Sequence, residues 1–356
     1  MHRLRTIIAR LAMTASLSLF IVGCNESNTD SLKDAYAHDF LIGTAINYQQ
    51  TLENSPGETR LFHTHFNALT PENCMKTEVL HPAWNTFDFS QADQLVSFAQ
   101  KHDMVINGHT LIWHSQLPRF AQQLQSADSV RQFFESHIQT VASRYAGKLQ
   151  SWDVVNEALE EDGSLRSSIF LDHLGAGYIA EAFQLTSRAA PDAELYYNDY
   201  NIEMPAKRAG CIALVKDIQS KGIRIDGVGI QGHWRLGQIP FREIEESILA
   251  FDSLGLKVMI TELDIDVLPP DSSANPYAAG IPDSVLHRQA AEYEQLFRLF
   301  LRHRDKISRV SFWGLQDAKS WLNHFPFRGR TNYPLLFDRQ LRPKPAFDRI
   351  MELKRE

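Results

Sequence analysis

Two apolar stretches of the sequence each run into a carboxylate. The first, residues 151–158, ends in Asn156 and Glu157, and the second, residues 257–266, reaches Glu262 and then Asp264. Sheets built from parallel strands hold their chemistry at the carboxyl ends of those strands. The two stretches therefore predict that Glu157 and Glu262 face one substrate. Strict strand alternation would place Asn156 and Glu157 on opposite faces.

A pair of carboxyl groups suits the cleavage of an acetal. The departing oxygen needs a proton and the cationic ring carbon needs a negative charge nearby, so one carboxyl must be protonated while its partner is ionised. The carboxylate with the better hydrogen bonds ionises first, and its charge favours the protonated form of the other. We expect His233 to donate to Glu262 and Asp264 to orient that imidazole, so that Glu262 is the ionised partner.

Most predicted strands end in polar or aromatic residues that packing alone does not require. Amides and carboxylates hydrogen-bond sugar hydroxyls, and aromatic rings cover the apolar C–H faces of sugars. Neither clustered arginines nor a glycine-rich phosphate loop is present. The sequence therefore predicts a carbohydrate site. Its candidate residues, besides the two carboxylates, are Glu72, Asn73, Lys76, His109, Trp113, Gln116, Asn156, Gln231, His233, Trp313 and Trp321, with Asp264 in support.

A metal site is the other interpretation of the histidines in this set. His109, His114 and His233 lack the close pairing that metal-dependent barrel hydrolases use. No cysteine or histidine spacing indicates zinc elsewhere. We therefore expect the reaction to use no metal and no cofactor. The thiols Cys74 and Cys211 fall on elements that should be distant, and we expect both to be free and buried.

Apolar strand patterns alternate with helical patterns along the chain. Such alternation predicts parallel pairing with right-handed crossovers, and eight strands close a barrel. We therefore predict an α/β fold, a (β/α)8 TIM barrel in one catalytic domain at residues 38–356. Residues 268–282 and 316–342 are interpreted as long loops on the active face. The strands are predicted at 40–46, 65–70, 104–109, 149–157, 194–198, 227–231, 257–262 and 309–313, and the helices at 91–102, 130–145, 178–190, 206–221, 241–254, 284–303 and 344–353.

The amino-terminal residues have the pattern of an export signal. Arg3, Arg5 and Arg10 precede an apolar run that is too short to span a membrane, and the run leads to Cys24. The sequence before this cysteine resembles a lipobox, so we predict a lipoprotein signal peptide at 1–23, a lipid on Cys24 and a polar tether at 24–37. The alternative is an ordinary signal peptide with an incidental cysteine. Asn25 resembles the sorting residue of outer-membrane lipoproteins, so an exported, outer-membrane protein is expected, with the membrane face left open.

The charge of the chain limits its partners. The formal net charge is −7, and loss of the three leader arginines would make it more negative. Nucleic acid and anionic surfaces are therefore not expected as partners. A monomer is the default expectation for the oligomeric state.

Six motifs together resemble glycoside hydrolase family 10, from about residue 38 to about residue 350. Most members of this family are endo-1,4-β-xylanases on a (β/α)8 barrel. The resemblance implies that Glu157 is the acid/base, that Glu262 is the nucleophile and that the other candidates bind sugar. The motifs lie at residues 72–76, 108–114, 152–158, 229–233, 260–264 and 312–314.

The leading hypothesis is therefore a retaining endo-1,4-β-xylanase that acts on xylan and xylo-oligosaccharides through a covalent glycosyl-enzyme. Trp313 and Trp321 would exclude the extra hydroxymethyl group of glucans. Two alternatives stay open, a β-1,4-glucan or cellobioside hydrolase and a catalytically silent glycan-binding lipoprotein. The second is disfavoured because both Glu157 and Glu262 are present.

Overall fold

Eight parallel strands form a closed barrel within residues 31–270 and 273–355, the part of the chain that a computed structural model of the protein describes. This confirms the predicted (β/α)8 barrel. The predicted leader at 1–23 and Cys24 lie outside the described residues. The barrel strands are β1 Leu41–Ile46, β2 Ala68–Pro71, β3 Val105–Trp113, β4 Ser151–Asn156, β5 Glu194–Asp199, β6 Gly227–Ile230, β8 Lys257–Asp266 and β9 Ile307–Phe312, and a short strand β7, His233–Arg235, follows β6.

Neighbouring strands pair in sequence order, and β9 returns to pair with β1 and close the barrel. Both β6 and the short β7 pair with β8. The strand β6 pairs with the beginning of β8, and β7 pairs with its end. Gln231 and Gly232 separate β6 from β7, and Gly232 has a φ of 82° that favours glycine. This interruption turns the chain at the barrel mouth between Gln231 and His233.

Helices pack around the outside of the barrel. Pro56–His65 is a helix between β1 and β2, where no helix was predicted, because this segment is mostly polar and buries only Glu58, Phe62 and His65. The helices are α1 Leu32–Ala35, α2 Pro56–His65, α3 Thr77–Leu80, α4 Ser90–Lys101, α5 Ala127–Arg144, α6 Ile169–Leu174, α7 Tyr178–Ala189, α8 Pro205–Ser220, α9 Phe241–Asp252, α10 Asp283–Arg302 and α11 Pro345–Glu352.

The predicted tether at 24–37 is wrong at its carboxyl end. Leu32 in α1 and Tyr36 just after it are fully buried. The Tyr36 hydroxyl donates to the carbonyl of Ile350 at 2.6 Å, and its ring stacks on Phe40 with ring centres 5.3 Å apart. Two apolar side chains four residues apart share one helix face, so this short polar segment folds onto the barrel. The folded part therefore begins by Ser31, before the predicted boundary at residue 38.

Polar side chains occupy part of the barrel interior beneath the mouth. Arg309 donates to the Ser151 hydroxyl at 2.9 Å, and that hydroxyl donates to Asn107 Oδ1 at 2.6 Å. The Asn107 amide in turn donates to Asp153 at 2.9 Å. All four residues are buried. This chain of hydrogen bonds fixes Asp153 below the mouth, because buried polar groups are costly unless they are paired.

Cys74 and Cys211 are free and buried, as predicted. Among the helices of residues 31–270 and 273–355, none combines the length and the apolar character that crossing a bilayer requires.

Candidate active site

Glu157 follows directly after β4 and accepts a hydrogen bond at each carboxylate oxygen. The Trp113 indole donates to Oε2 at 2.9 Å, and the Gln231 amide donates to Oε1 at 2.9 Å. The backbone of Glu157 has a φ of 55°, a left-handed conformation that is unusual for glutamate. The Glu157 amide donates to the Asn198 carbonyl at 2.9 Å, which holds this conformation in place.

Asn156 and Glu157 reach the same partner, so the expected alternation of their side chains is wrong. The Gln231 amide lies 3.4 Å from Asn156 Oδ1 and 2.9 Å from Glu157 Oε1. A register shift between Asp153 and Val155 interrupts the regular pleat of β4. Together with the left-handed turn at Glu157, it brings two consecutive side chains to one site.

Glu262 lies in β8 between two hydrogen-bond donors. The Asn198 amide donates to Oε1 at 2.8 Å, and His233 Nε2 lies 3.1 Å from Oε2. Burial alone would raise the pKa of Glu262. The hydrogen bond from His233, the charges of His109 and His233 and the bond from Asn198 outweigh burial and hold that pKa below its usual range. Glu262 is therefore an ionised carboxylate at neutral pH.

His233 connects Glu262 to a second buried acid. Its Nδ1 lies 3.0 Å from Asp264 Oδ1, and the Trp321 indole donates to Asp264 Oδ2 at 2.8 Å. Burial would lower the pKa of His233, but the charge of Asp264 and the contacts with both carboxylates raise it to about 10. The imidazole is therefore a cation that faces Glu262 on one side and Asp264 on the other.

Asn198 is a central residue that was absent from the predicted site. Its amide nitrogen donates to Asn156 Oδ1 at 2.9 Å and to Glu262 Oε1 at 2.8 Å, while its oxygen accepts a bond from Thr261 at 2.6 Å. It therefore links the residue beside Glu157 to Glu262. The position of Asn198 near the carboxyl end of a predicted strand was the signal that could have identified it.

His109 lies between an acid and an indole ring. Its Nδ1 is 2.9 Å from Asp153 Oδ2, and its ring meets that of Trp313 edge to face with centres 5.3 Å apart. Asp153 was also missing from the predicted site. Its role as the partner of His109 follows from the pairing of β3 with β4, in which His109 lies opposite Asp153.

Lys76 lies beside Trp113 in a cluster with Glu72 and Asn73. Its Nζ donates to Asn73 Oδ1 at 3.1 Å and lies 5.0 Å from the centre of the Trp113 ring. Burial lowers the pKa of Lys76, and the charges of Glu262, Glu72 and Glu157 oppose that effect. Burial raises the pKa of Glu72. The lysine charge therefore faces both members of the carboxylate pair.

Gln116 is a predicted sugar-binding residue whose side chain bonds outside this network. Its amide donates to Glu78 Oε1 at 2.8 Å, two residues beyond Lys76. The Gln116 backbone has a φ of 47° and lies after the end of β3. The structure therefore holds this side chain beside Glu78, without a bond to either carboxylate.

Indole and imidazole rings form a wall beside the carboxylates. Trp313 packs edge to face on His233 at 6.1 Å, and Trp321 lies 4.9 Å from the same imidazole. Phe325 stacks on Trp321 with ring centres 5.0 Å apart and is 58% exposed. Exposed and half-buried rings beside hydrogen-bonding groups are suited to cover the apolar face of a sugar.

Comparison with known proteins gives the same family that the motifs suggest. The family model described as Glycosyl hydrolase family 10 matches residues 31–353. An endo-1,4-beta-xylanase of Geobacillus stearothermophilus is 43% identical over 92% of this chain and 99% of its own length. A thermostable celloxylanase of Thermoclostridium stercorarium is 39% identical over 91% of this chain and 88% of its own.

A solved structure shows the same architecture. It is described as a novel GH10 endoxylanase retrieved from a sugarcane soil metagenome, and it is 43% identical with a TM-score of 0.87, covering 91% of this chain and 99% of that one. The match of the family model over nearly the whole described chain, and relatives at this identity and coverage, establish that the chain belongs to glycosyl hydrolase family 10.

Proposed function

We propose that the protein is an endo-1,4-β-xylanase that cleaves internal bonds of xylan with retention of anomeric configuration. The main support is the asymmetry of the carboxylate pair. Glu262 faces the imidazolium of His233 and the amide of Asn198, whereas the carboxylate oxygens of Glu157 accept from the neutral groups of Trp113 and Gln231. Glu262 is thus prepared for the role of the ionised nucleophile, which leaves the role of the acid to Glu157.

In the first step, Glu157 donates its proton to the glycosidic oxygen while the Glu262 carboxylate attacks the anomeric carbon. The bond between that carbon and the glycosidic oxygen breaks, and an ester between Glu262 and the sugar forms. The leaving sugar departs with the proton of Glu157. Asn156, adjacent to the acid and held by Asn198, is placed to bind the 2-hydroxyl, a contact that strengthens in the transition state.

In the second step, Glu157 acts as a base. Esterification removes the negative charge of Glu262, so the ionised Glu157 is free to take a proton from water. The water oxygen attacks the anomeric carbon, the ester bond breaks and Glu262 leaves as a carboxylate. Two inversions at one carbon give net retention.

The aromatic wall supports xylan as the substrate. Trp321 is fixed by its bond to Asp264, and Trp313 is fixed between His109 and His233, so neither ring can easily move away from an added hydroxymethyl group. Exclusion by shape is worth roughly 1–3 kcal/mol per group, so we expect weak activity on aryl cellobiosides. The similarity to a celloxylanase keeps a glucan hydrolase as the second candidate.

The test compares xylan with carboxymethylcellulose and follows the release of new reducing ends. We expect xylo-oligosaccharides from xylan and much slower release from the cellulose derivative. Faster release from the cellulose derivative would favour the glucan hydrolase. Glu262→Ala should abolish turnover while binding of xylo-oligosaccharides persists, and Glu157→Ala should slow turnover by about 10²–10⁴-fold. Binding of xylo-oligosaccharides by the unaltered protein without any release would indicate a silent glycan-binding protein.

We also propose that the protein is exported and anchored by a lipid on Cys24, with the barrel as a monomer. The support is the basic, apolar and cysteine-containing order of residues 1–24. Cys24→Ser should release the protein from the membrane fraction of producing cells and abolish its labelling by fatty acid. Unchanged labelling of the variant would reject this site of attachment.

A further inference from the structure

Three metal-binding side chains from three different elements meet outside the active site. Glu53 follows the 3₁₀ helix Tyr48–Leu52, His63 lies near the end of α2, and His102 follows α4. One ligand atom from each lies within 4.8 Å of the other two. These residues are far apart along the chain, which explains why the spacing of histidines in the sequence did not indicate zinc.

The geometry is close to that of a bound metal ion. Glu53 Oε1 is 3.0 Å from His102 Nε2, and the rings of His63 and His102 have centres 3.9 Å apart at an angle of 71°. Zinc binds imidazole nitrogens and carboxylate oxygens at about 2.0–2.2 Å, so tetrahedral ligands lie roughly 3.4 Å from one another. Small side-chain movements would bring the three atoms to that separation.

Neighbouring groups contact the side chains of Glu53 and His102 and the backbone of His63. Lys101 binds the other oxygen of Glu53 at 2.5 Å, which leaves Oε1 directed at His102. The ring of His102 packs edge to face on Phe98 at 4.6 Å, and Lys33 donates to the His63 carbonyl at 2.5 Å. Hydrogen bonds to the metal-binding side chains are typical of built metal sites. The Lys101 side chain is 61% exposed, so solvent screens its charge.

We propose that Glu53, His63 and His102 form a binding site for a divalent transition metal, with zinc as the best match and water as the fourth ligand. Two imidazoles and one carboxylate suit zinc, whereas calcium and magnesium prefer oxygen ligands throughout.

The bound metal would connect the 3₁₀ helix, α2 and α4. None of its ligands contacts Glu157 or Glu262, so its effect is on stability and not on turnover. A ligand that binds only the folded protein raises the melting temperature as its concentration exceeds the dissociation constant.

The chain contains a matched control for this site. His303 follows α10 as His102 follows α4, and its Nε2 lies 2.7 Å from Glu245 Oε1. The preceding residue, Arg302, also binds Glu245, as Lys101 binds Glu53. Glu245 and His303 have no second histidine beside them in the described part of the chain, so this pair is not expected to bind a metal ion.

The experiment titrates zinc into the chelator-treated, full-length protein by calorimetry and measures melting temperatures with zinc, calcium or magnesium. We expect one equivalent of zinc to bind and the melting temperature to rise by about 3 °C at a hundredfold excess over the dissociation constant, with no comparable effect of calcium or magnesium. Cobalt should give the visible absorption bands of a tetrahedral site. Xylan hydrolysis should be unchanged, which separates this proposal from the proposed function.

The variants His63→Gln and Glu53→Gln should bind zinc at least about tenfold more weakly, and His303→Gln should bind it as the unaltered protein does. Absence of zinc binding by the unaltered protein would overturn the proposal. Equal affinity in His63→Gln, or an equal loss in His303→Gln, would also overturn it, because either result would place the zinc elsewhere.

Discussion

At the scale of single residues, the partners of Glu157 and Glu262 assign different chemistry to two identical side chains. Glu262 is bound by a charged imidazole that a buried acid supports, and Glu157 is bound by an indole and an amide. A charged partner stabilises an ionised carboxylate far more than a neutral donor does. The assignment of nucleophile and acid therefore depends on the groups around the pair.

Asn198→Asp should lower kcat by roughly 10²-fold or more, with a small change in KM. The substitution keeps the size of the side chain but replaces the amide that donates to Glu262 with a carboxylate, so a donor is lost and a like charge is added. Steady-state kinetics on xylan measures the effect. Asn201→Asp makes the same chemical change at an exposed bond to Glu161 and should leave kcat unchanged. Equal loss in both variants would contradict the proposed role of Asn198.

His233→Gln should move the acid limb of the kcat/KM profile to higher pH by about one unit or more. Glu262, the proposed nucleophile, must be ionised, and its pKa is held below 4.5 in large part by the bond from His233. Activity of the unaltered enzyme should therefore persist to a pH below 4.5 and fall as Glu262 becomes protonated. The loss of the imidazolium raises the pKa of Glu262, so the variant should fail at a higher pH. His38→Gln, at an exposed histidine, is the control, and an unmoved acid limb in His233→Gln would contradict this account.

The sequence located both carboxylates but not all the groups that hold them. Glu157 and Glu262 follow apolar strands, and this pattern is visible in the sequence. Asp153 and Asn198 look like ordinary strand residues, because their importance comes from partners on neighbouring strands. Gln116 itself has a left-handed backbone conformation and its side chain bonds to Glu78, and such a conformation at residues other than glycine is hard to foresee.

At the scale of elements, the break between β6 and β7 positions two active-site residues. Gln231 precedes the break and binds Glu157, and His233 follows it and binds Glu262. Gly232 between them has a φ of 82°, and a Cβ there would lie 3.2 Å from Ile260. The short segment from Gln231 to His233 thus supplies one hydrogen-bond donor to each of the two carboxylates.

Gly232→Ala should reduce kcat by at least about tenfold, because a small displacement of catalytic donors is costly. Gly222→Ala is the matched control, since Gly222 also has a positive φ, of 68°, but no atom lies within 4 Å of the added Cβ. Both variants should lose some stability, roughly 1–2 kcal/mol by urea denaturation, from backbone strain. Only Gly232→Ala should lose activity, and full activity in that variant would show that the break is not needed.

Helices and strands were predictable to the extent that their apolar pattern was regular. The strands of the barrel are buried on both faces and stand out as apolar runs. The helix α2 was missed because its sequence is polar and begins with Pro56 and Gly57. The helix α1 was assigned to a tether because its fold depends on long-range contacts of Leu32 and Tyr36.

At the scale of the whole molecule, stability responds to pH through buried histidines outside the active site. Burial lowers the pKa of His65 and His81 to about 4 and that of His137 to about 3. His81 stacks on Phe87 with ring centres 4.0 Å apart, and neither of its ring nitrogens has a hydrogen-bond partner among residues 31–270 and 273–355. Between pH 6.5 and 4 these three histidines therefore bind more protons in the unfolded chain than in the folded one, and their contribution to stability falls as the pH falls.

His81→Phe should make the loss of stability between pH 6.5 and 4 smaller than in the unaltered protein. The variant removes one group whose protonation favours unfolding and keeps an aromatic ring in the stack. Burial raises the pKa of Asp199 to about 7 and that of Asp317 to about 6, which acts in the opposite direction but equally in both proteins. Denaturant unfolding at several pH values measures the free energy of unfolding of both proteins. If this free energy fell equally with pH in the two proteins, His81 would not contribute to the pH dependence.

The overall architecture was the most predictable feature of the molecule. Eight apolar runs separated by helical patterns allow few arrangements, because parallel strands need right-handed crossovers and eight of them close a barrel. The mouth of the barrel then follows from the direction of the strands. The series of hydrogen bonds from Arg309 to Asp153 inside the barrel was not predictable. It depends on which side chains of different strands lie at the same height in the barrel interior.

The proposed retaining mechanism requires Glu262 to form a covalent bond to the sugar. The most direct measurement incubates the protein with a 2-fluoro xylobioside that has a good leaving group, digests it and locates the labelled peptide by mass spectrometry. We predict one label per chain on Glu262, with none on Glu262→Ala. A label on another residue, or turnover of this substrate with no covalent label at any time, would contradict the retaining mechanism and the roles assigned to the carboxylate pair.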